Sequence, residues 1–109
     1  IVVAPATGNT LTCLANGLTN GPVPMACKAQ WRNSKPVVIA VSTNDGLGAC
    51  GVNIAELNDK ELTYMVPYGQ DNPHNKEKSL VAHFEYIPDT IIEALEGRQF
   101  QPVLIPHVY

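Results

Sequence analysis

His83 and Glu85 are the two side chains in this sequence best suited to acid–base chemistry. They lie two residues apart in the alternating run LVAHFEYI, residues 80–87, so in a strand both would point to the same face. An imidazole next to a carboxylate can accept and donate a proton near neutral pH. A solvated strand face without a catalytic role produces the same pattern, and both interpretations stay open at this point.

Other kinds of reactive site have little support in the sequence. The separations of His74, His83 and His107 match no local ligand motif, so no metal site is predicted. The sequence has neither a P-loop nor a G-x-G-x-x-G fingerprint, so no cofactor is predicted. Glycoside hydrolysis needs a second carboxylate, and the residues alone supply no convincing partner for Glu85. The sequence therefore favours a protein that is not an enzyme.

Tyr68 is the aromatic residue that we expect at the surface. It immediately precedes GQDNPHNKEKS, residues 69–79, whose polar composition and Pro73 predict an exposed loop. An exposed aromatic ring offers a ligand an apolar face together with a polar hydroxyl. Tyr68 therefore joins His83 and Glu85 as a predicted ligand-binding residue.

The elements that would position these residues are predicted to be mainly β-strands. Turn residues separate the short runs TLTCLA, VPMACKAQW, KPVVIAVST, ACGVNIAEL, ELTYMVPY and LVAHFEYI. Two prolines predict that FQPVLIPHVY is an edge strand or a bulged strand. One short helix is predicted in DTIIEALEG, residues 89–97, with Asp89 or Thr90 as its N-cap. A small single-domain β-barrel with one C-terminal helix follows, with a β-sandwich as the alternative.

The three cysteines allow more than one arrangement. Cys13 and Cys27 flank the turn-rich NGLTNG, and in a hairpin their side chains would lie opposite one another. A disulfide there would close a loop of about 15 residues and contribute about 3 kcal/mol. Cys27 with Cys50, or three buried thiols without a bridge, are the alternatives. With the first pairing Cys50 is a free thiol, and we expect it to be buried because an apolar run follows it.

Composition and charge exclude several classes of protein. A length of 109 residues predicts one domain. A net charge of −3 without a cluster of basic residues argues against binding to nucleic acid. No run of apolar residues is long enough to span a membrane. A start at Ile1, nine prolines and eight glycines favour a processed, secreted, extracellular monomer.

The glycine-rich segment STNDGLGACG, residues 42–51, carries a resemblance to a known fold. After the strand VVIAV it resembles the GLGACG corner of the double-psi β-barrel in barwin, expansin and cerato-platanin-like secreted proteins. SLVAHFEYIP is similar to the family's acidic strand, and IIEALEGRQFQPVLIPHVY to its short helix and closing strand, although the family's later cysteines are absent. The resemblance implies a barrel over residues 36–109 after an N-terminal hairpin over residues 1–35. It also implies a groove bordered by Asp45, and a general acid at the Glu85 position in the enzymes of that group.

Three functions remain open on this basis. The first is a secreted, non-catalytic protein that binds extracellular or cell-wall carbohydrate in defence or host interaction through Asp45, Tyr68, His83 and Glu85. The second is a secreted proteinase inhibitor that presents the loop over residues 67–78 to a protease. The third is a small polysaccharide hydrolase or nuclease that uses Glu85 and His83 with Asp45.

Overall fold

The computed structural model describes residues 1–107, and its central element is the strand β2, Val37–Thr43. The first five residues of β2 are all buried, without the alternation of a half-exposed strand. β-Branched residues favour the extended backbone, and a continuous buried apolar run is typical of a strand covered on both faces. β2 therefore lies in the middle of the sheet.

The other strands arrange themselves around β2. They are β1 (Val2–Ala6), β3 (Thr63–Met65), β4 (Tyr68–Gly69) and β5 (Leu80–Ala82). β1 runs parallel to β2 on one side. On the other side of β2, β3 runs parallel to its first three residues. β5 pairs antiparallel with the last two residues of β2, and β4 pairs with β5. The sheet is open and mixed, with a parallel centre.

Four helices pack against this sheet: α1 (Gly8–Ala15), α2 (Pro22–Arg32), α3 (Gly51–Asp59) and α4 (Ile87–Leu95). α1, α2 and α4 contact β2, while α3 and α4 contact β3. α1 also packs against α2 and α3. Within residues 1–107, no helix is long and apolar enough to cross a membrane.

This architecture contradicts the predicted β-barrel and its β-sandwich alternative. TLTCLA, VPMACKAQW and ACGVNIAEL, which were predicted as strands, form α1, α2 and α3. Their buried residues recur at helical spacing, as Leu11 and Leu14 in α1 and Ile54 and Leu57 in α3 show. Residues 1–35, predicted as a hairpin, fold as one strand followed by two helices.

The C-terminal elements agree with the sequence in part. A helix does form where DTIIEALEG predicts one, but it begins at Ile87 with Pro88 in its first turn. Thr90 is therefore inside α4, where its hydroxyl donates a hydrogen bond to the Tyr86 carbonyl at 2.7 Å, and it does not cap the helix. The predicted edge strand FQPVLIPHVY is reduced to a single bridge between Leu104 and Tyr68, and its residues 108 and 109 lie outside the described part of the chain.

All three cysteines are free and buried, so the predicted disulfide between Cys13 and Cys27 is wrong. The two residues lie on α1 and α2, not on the facing strands of a hairpin. Burial raises the pKa of the Cys27 thiol, against a smaller opposing effect of the amino terminus. Cys50 is also a buried free thiol, at the position where α3 begins.

Candidate functional site

A polar crevice opens beyond the carboxyl ends of β1 and β2. In open α/β sheets, ligands bind at this edge, because the loops after parallel strands and the amino ends of the following helices meet there. We call it the strand-end crevice; its volume is about 510 Å³. It is lined by Thr7, Gly8, Ser42, Thr43, Asn44, Asp45, Asp71, Lys76, Ser79 and Val81.

A smaller recess of about 240 Å³ adjoins the crevice. It shares Gly8, Thr43 and Asp45 with the crevice and is completed by residues from α1 and α3. The first turn of α1 and the loop after β2 therefore border both spaces.

The amino end of α1 supplies hydrogen-bond donors at the crevice. Thr7 precedes the helix in an extended conformation, its side chain makes no capping hydrogen bond, and the first turn holds no acidic residue. The first intrahelical bond runs from the Leu11 N–H to the Thr7 carbonyl at 2.9 Å. The N–H groups of Gly8, Asn9 and Thr10 thus have no acceptor within the helix. A helix start of this kind favours a bound anion.

The turn over residues 44–50 holds Asp45 on the wall of the crevice. The Asp45 carbonyl accepts hydrogen bonds from the N–H groups of Gly48 at 3.0 Å and Cys50 at 3.1 Å. Its carboxylate accepts one from the Ala49 N–H at 3.0 Å. A Cβ at Gly48 would collide with that carboxylate and displace it, so the glycine allows Asp45 to keep this position. The GLGACG segment is therefore a corner between a strand and a helix, where a strand-to-strand corner was expected.

A chain of hydrogen bonds fixes α1 against α3 next to this turn. The Asn53 amide donates to the Thr12 hydroxyl at 3.1 Å and accepts from the Asn16 amide at 3.2 Å. The Thr12 hydroxyl in turn donates to the Gly8 carbonyl at 2.8 Å. The start of α1 is thereby held in a defined position beside the crevice.

The predicted acid–base pair does meet, but away from the crevice. His83 Nδ1 lies 3.3 Å from Glu85 Oε1, with side chains that are 39% and 66% exposed. The pair follows β5 at the start of the short 3₁₀ turn Phe84–Tyr86, so it does not share a strand face. Neither residue lines the crevice that contains Asp45, so the structure does not unite the three.

Tyr68 is in the core and not at the surface. It is 6% exposed, and its hydroxyl accepts a hydrogen bond from the Asn58 amide at 3.0 Å. Within residues 1–107, no three His, Cys, Asp or Glu side chains lie close enough together to hold a metal ion.

Sequence reasoning missed most of the crevice, including Thr7, Gly8, Ser42 and Thr43. The signal that could have found it was the segment VVAPATGNT, in which a β-branched strand runs through a small-residue junction into a helix. Because TLTCLA was interpreted as a strand, the prediction missed this helix and therefore also the helix start that borders the crevice.

Comparison with known proteins supplies the family. The model of the Flavoprotein family matches residues 1–96. This chain belongs to the Flavoprotein family. It is 46% identical over 105 residues to the B subunit of dipicolinate synthase from Bacillus subtilis (strain 168), an alignment that covers 96% of this chain and 52% of that protein.

A solved structure gives the same result. The crystal structure of the dipicolinate synthase B subunit from Bacillus halodurans matches with a TM-score of 0.96 and 51% identity, over 98% of this chain and 55% of that one. The chain therefore spans about half the length of the relatives that it matches.

Membership of the Flavoprotein family overturns the resemblance to the double-psi barrel proteins. The GLGACG likeness is local, because the same glycine turn here leads into α3. The predicted extracellular location, which was drawn from the start at Ile1 and from the proline and glycine content, is wrong, because the chain belongs to the Flavoprotein family and its relatives are subunits of a bacterial synthase. The relatives are subunits of a bacterial synthase, so the predictions of a secreted carbohydrate-binding protein, a proteinase inhibitor and a hydrolase or nuclease are wrong.

Proposed function

We propose that the strand-end crevice binds the phosphate and ribityl part of flavin mononucleotide. The observation that carries this proposal is the uncapped amino end of α1, which borders a polar crevice at the carboxyl ends of two parallel strands. Membership of the Flavoprotein family identifies a flavin as the ligand class to test.

The residues of the crevice fit these two parts of the cofactor. The free N–H groups at the start of α1 and the Lys76 ammonium attract and hydrogen-bond a phosphate. The carboxylates of Asp45 and Asp71 accept hydrogen bonds from ribityl hydroxyls. The described lining holds no aromatic side chain, so we assign the flavin ring to no residue of this chain. A bound flavin would supply hydride or electron transfer.

A titration that compares two flavins tests this assignment. Flavin fluorescence is measured as the protein is added to flavin mononucleotide or to riboflavin, which lacks the phosphate. Charge-assisted hydrogen bonds to the phosphate should make the mononucleotide bind at least about tenfold more tightly. Equal affinity for the two flavins, or no binding of either, would contradict the proposal.

Matched variants locate the phosphate. Lys76 is exposed at the crevice, so Lys76→Gln should weaken binding of the mononucleotide by about two- to fivefold. Lys35→Gln removes the same charge at an exposed position outside the crevice and should have no effect. Thr7→Val removes a crevice hydroxyl that caps nothing in the helix, and it should weaken binding without lowering the melting temperature.

We also propose that this chain acts as part of the B subunit of a dipicolinate synthase. Its similarity to two such subunits over nearly all of its own length supports the assignment. The test is a chimera in which this sequence replaces the matching region of the Bacillus subtilis protein. Dipicolinate production by cells that carry the chimera is expected, and a folded chimera without production would refute the role.

A further inference from the structure

Ser79 is a buried serine whose hydroxyl has no partner within the described protein. The residue is 2% exposed, and its Oγ makes no hydrogen bond with any group of residues 1–107. Every completely enclosed side-chain nitrogen or oxygen in that part of the chain does have a partner. The small exposed fraction of Ser79 therefore includes its Oγ. Because the residue lines the strand-end crevice, the hydroxyl faces that space.

The sheet holds Ser79 in this position. The residue lies directly before β5, which pairs antiparallel with the end of β2, with Ser42 opposite Val81. Side chains alternate between the two faces of a strand, so Ser79 points to the same side as Val81, and both line the crevice. The Ser79 N–H donates to the Lys76 carbonyl at 3.1 Å, which ties the residue to the loop before β5 as well.

An unpaired hydroxyl in such a position makes the fold less stable than an alanine would. A hydroxyl that is taken out of water without a partner loses hydrogen bonds that nothing replaces. The other buried polar side chains of residues 1–107 avoid this loss. The Thr63 hydroxyl donates to the Glu61 carbonyl at 3.3 Å, and the Thr90 hydroxyl to the Tyr86 carbonyl at 2.7 Å. The hydroxyl of Ser79 is left for a group that enters the crevice.

Ser79 and the start of α1 lie on opposite sides of β2. β1, which leads into α1, and β5, which follows Ser79, are the two neighbours of β2 in the order of the sheet. Two strand spacings, roughly 10 Å, separate β1 from β5. A ligand whose phosphate lies at the start of α1 therefore reaches Ser79 with a group further along its chain, and not with the phosphate itself.

We propose that Ser79 is a specificity-determining residue of the strand-end crevice, which selects ligands that carry a hydroxyl-bearing chain. The inference rests on the proposed flavin site, in which the phosphate lies at the start of α1 and the ribityl chain continues from it. The Ser79 hydroxyl can donate a hydrogen bond to a ribityl hydroxyl or accept one from it. A chain without hydroxyls would leave Ser79 unpaired and shut off from water, so it should bind less tightly.

Two ligands and two variants test this role. Flavin mononucleotide is compared with an analogue whose N10 chain is 5-phosphooxypentyl, which keeps the phosphate and lacks the chain hydroxyls. Flavin fluorescence is recorded as the full chain is added to each. Ser79→Ala should weaken binding of the mononucleotide by about five- to tenfold, and should leave the affinity for the analogue unchanged or higher.

Ser34→Ala is the matched control. Ser34 is exposed, it lies outside the crevice, and its hydroxyl also has no partner among residues 1–107. Water satisfies that hydroxyl, so its removal should change neither affinity.

The melting temperature of the free protein gives a second measurement. Because the Ser79 hydroxyl supports no contact within the described protein, Ser79→Ala should melt at the temperature of the parent or above it. A hydroxyl that the fold needs would give a lower melting temperature. The expected variant is therefore as stable as the parent and less selective for the hydroxyl-bearing chain.

The outcomes separate this inference from the proposed function. If the parent binds the mononucleotide and Ser79→Ala binds it equally well, the inference is wrong and the flavin site stands. An equal loss of affinity for both flavins would place Ser79 at the phosphate or the ring and would also overturn the inference, as would a melting temperature lowered by more than a few degrees. If the parent binds neither flavin, the proposed function and the inference fail together.

Discussion

Replacing Gln99 with methionine should lower the free energy of unfolding by about 2–3 kcal/mol. The Gln99 side chain takes the place of a neighbouring strand beside β3. Its Oε1 accepts a hydrogen bond from the Met65 N–H at 2.7 Å, and its Nε2 donates to the Met65 carbonyl at 2.6 Å. Met65 is paired with Ile39 of β2 on its other side.

The magnitude follows from these two hydrogen bonds. Each is worth about 0.5–1.5 kcal/mol, and the loss is larger when the remaining partner stays out of water. Met65 is 0% exposed, so its backbone groups are poorly placed to find water, and the loss for the two bonds together lies in the upper part of their combined range of about 1–3 kcal/mol. Methionine is apolar and similar in length to glutamine, so it leaves no cavity. The loss in the free energy of unfolding therefore measures the hydrogen bonds. For a domain of this size the melting temperature should fall by about 10–15 °C.

Urea unfolding followed by Trp31 fluorescence and circular dichroism measures the effect. Gln101→Met is the matched control, because Gln101 is exposed and accepts a single hydrogen bond, from the Val103 N–H at 3.1 Å. We expect the control to lose less than about 0.5 kcal/mol. If the two variants were equally stable, the Gln99 amide would contribute nothing to the edge of β3 and the reasoning would be wrong.

Two further predictions concern ionisable groups. Arg98 Nε donates to Glu93 Oε2 at 2.8 Å, and this hydrogen bond lowers the pKa of Glu93 from its usual 4.5. The ionised form then stabilises the fold above pH 4.5, and the effect is lost as the pH falls through the lowered pKa. The difference in melting temperature between the parent and Arg98→Gln should therefore shrink on acidification, and a difference that did not change with pH would contradict this. The thiols of Cys13, Cys27 and Cys50 are all buried, and burial raises the pKa of Cys27. We therefore expect a thiol reagent to label the native protein slowly. In urea, without a reducing agent, three thiols per chain should react with the reagent. A smaller number would show that a disulfide is present.

The elements that could be predicted are those whose sequence pattern is complete within one short segment of the chain. KPVVIAVST contains a continuous apolar, β-branched run that ends at a turn, and it forms β2. DTIIEALEG has its apolar residues at helical spacing, and it lies within α4 and the turn that follows. The predicted cap at Thr90 is wrong because α4 already begins at Ile87, which leaves the Thr90 hydroxyl inside the helix, bonded to the Tyr86 carbonyl. The local pattern thus predicted the helix α4 correctly but not the residue at which it begins.

The helices α1 and α3 were missed because packing, not propensity, holds them together. They have 8 and 9 residues, lengths at which an isolated helix is marginal. Leu11 alternates with Thr10 and Thr12 in TLTCLA, which imitates a strand, and the helical spacing of Leu11 and Leu14 is evident only beside the sheet. The crevice was out of reach for a related reason. Gly8 and Thr43 are distant in sequence and meet only because β1 pairs in parallel with β2.

The central position of β2 also determines how the molecule opens. Hydrogen bonds tie this strand to β1, β3 and β5, so no side of it can be released without breaking the pairing of another strand. Its amide protons are therefore accessible to solvent exchange only when the whole sheet comes apart, and their exchange rate reports the global free energy of unfolding. The turn over residues 44–50 lies outside the sheet, so we expect it to open in smaller fluctuations. The wall of the strand-end crevice thus combines the end of a strand that opens only with the whole sheet and a turn that we expect to open more easily.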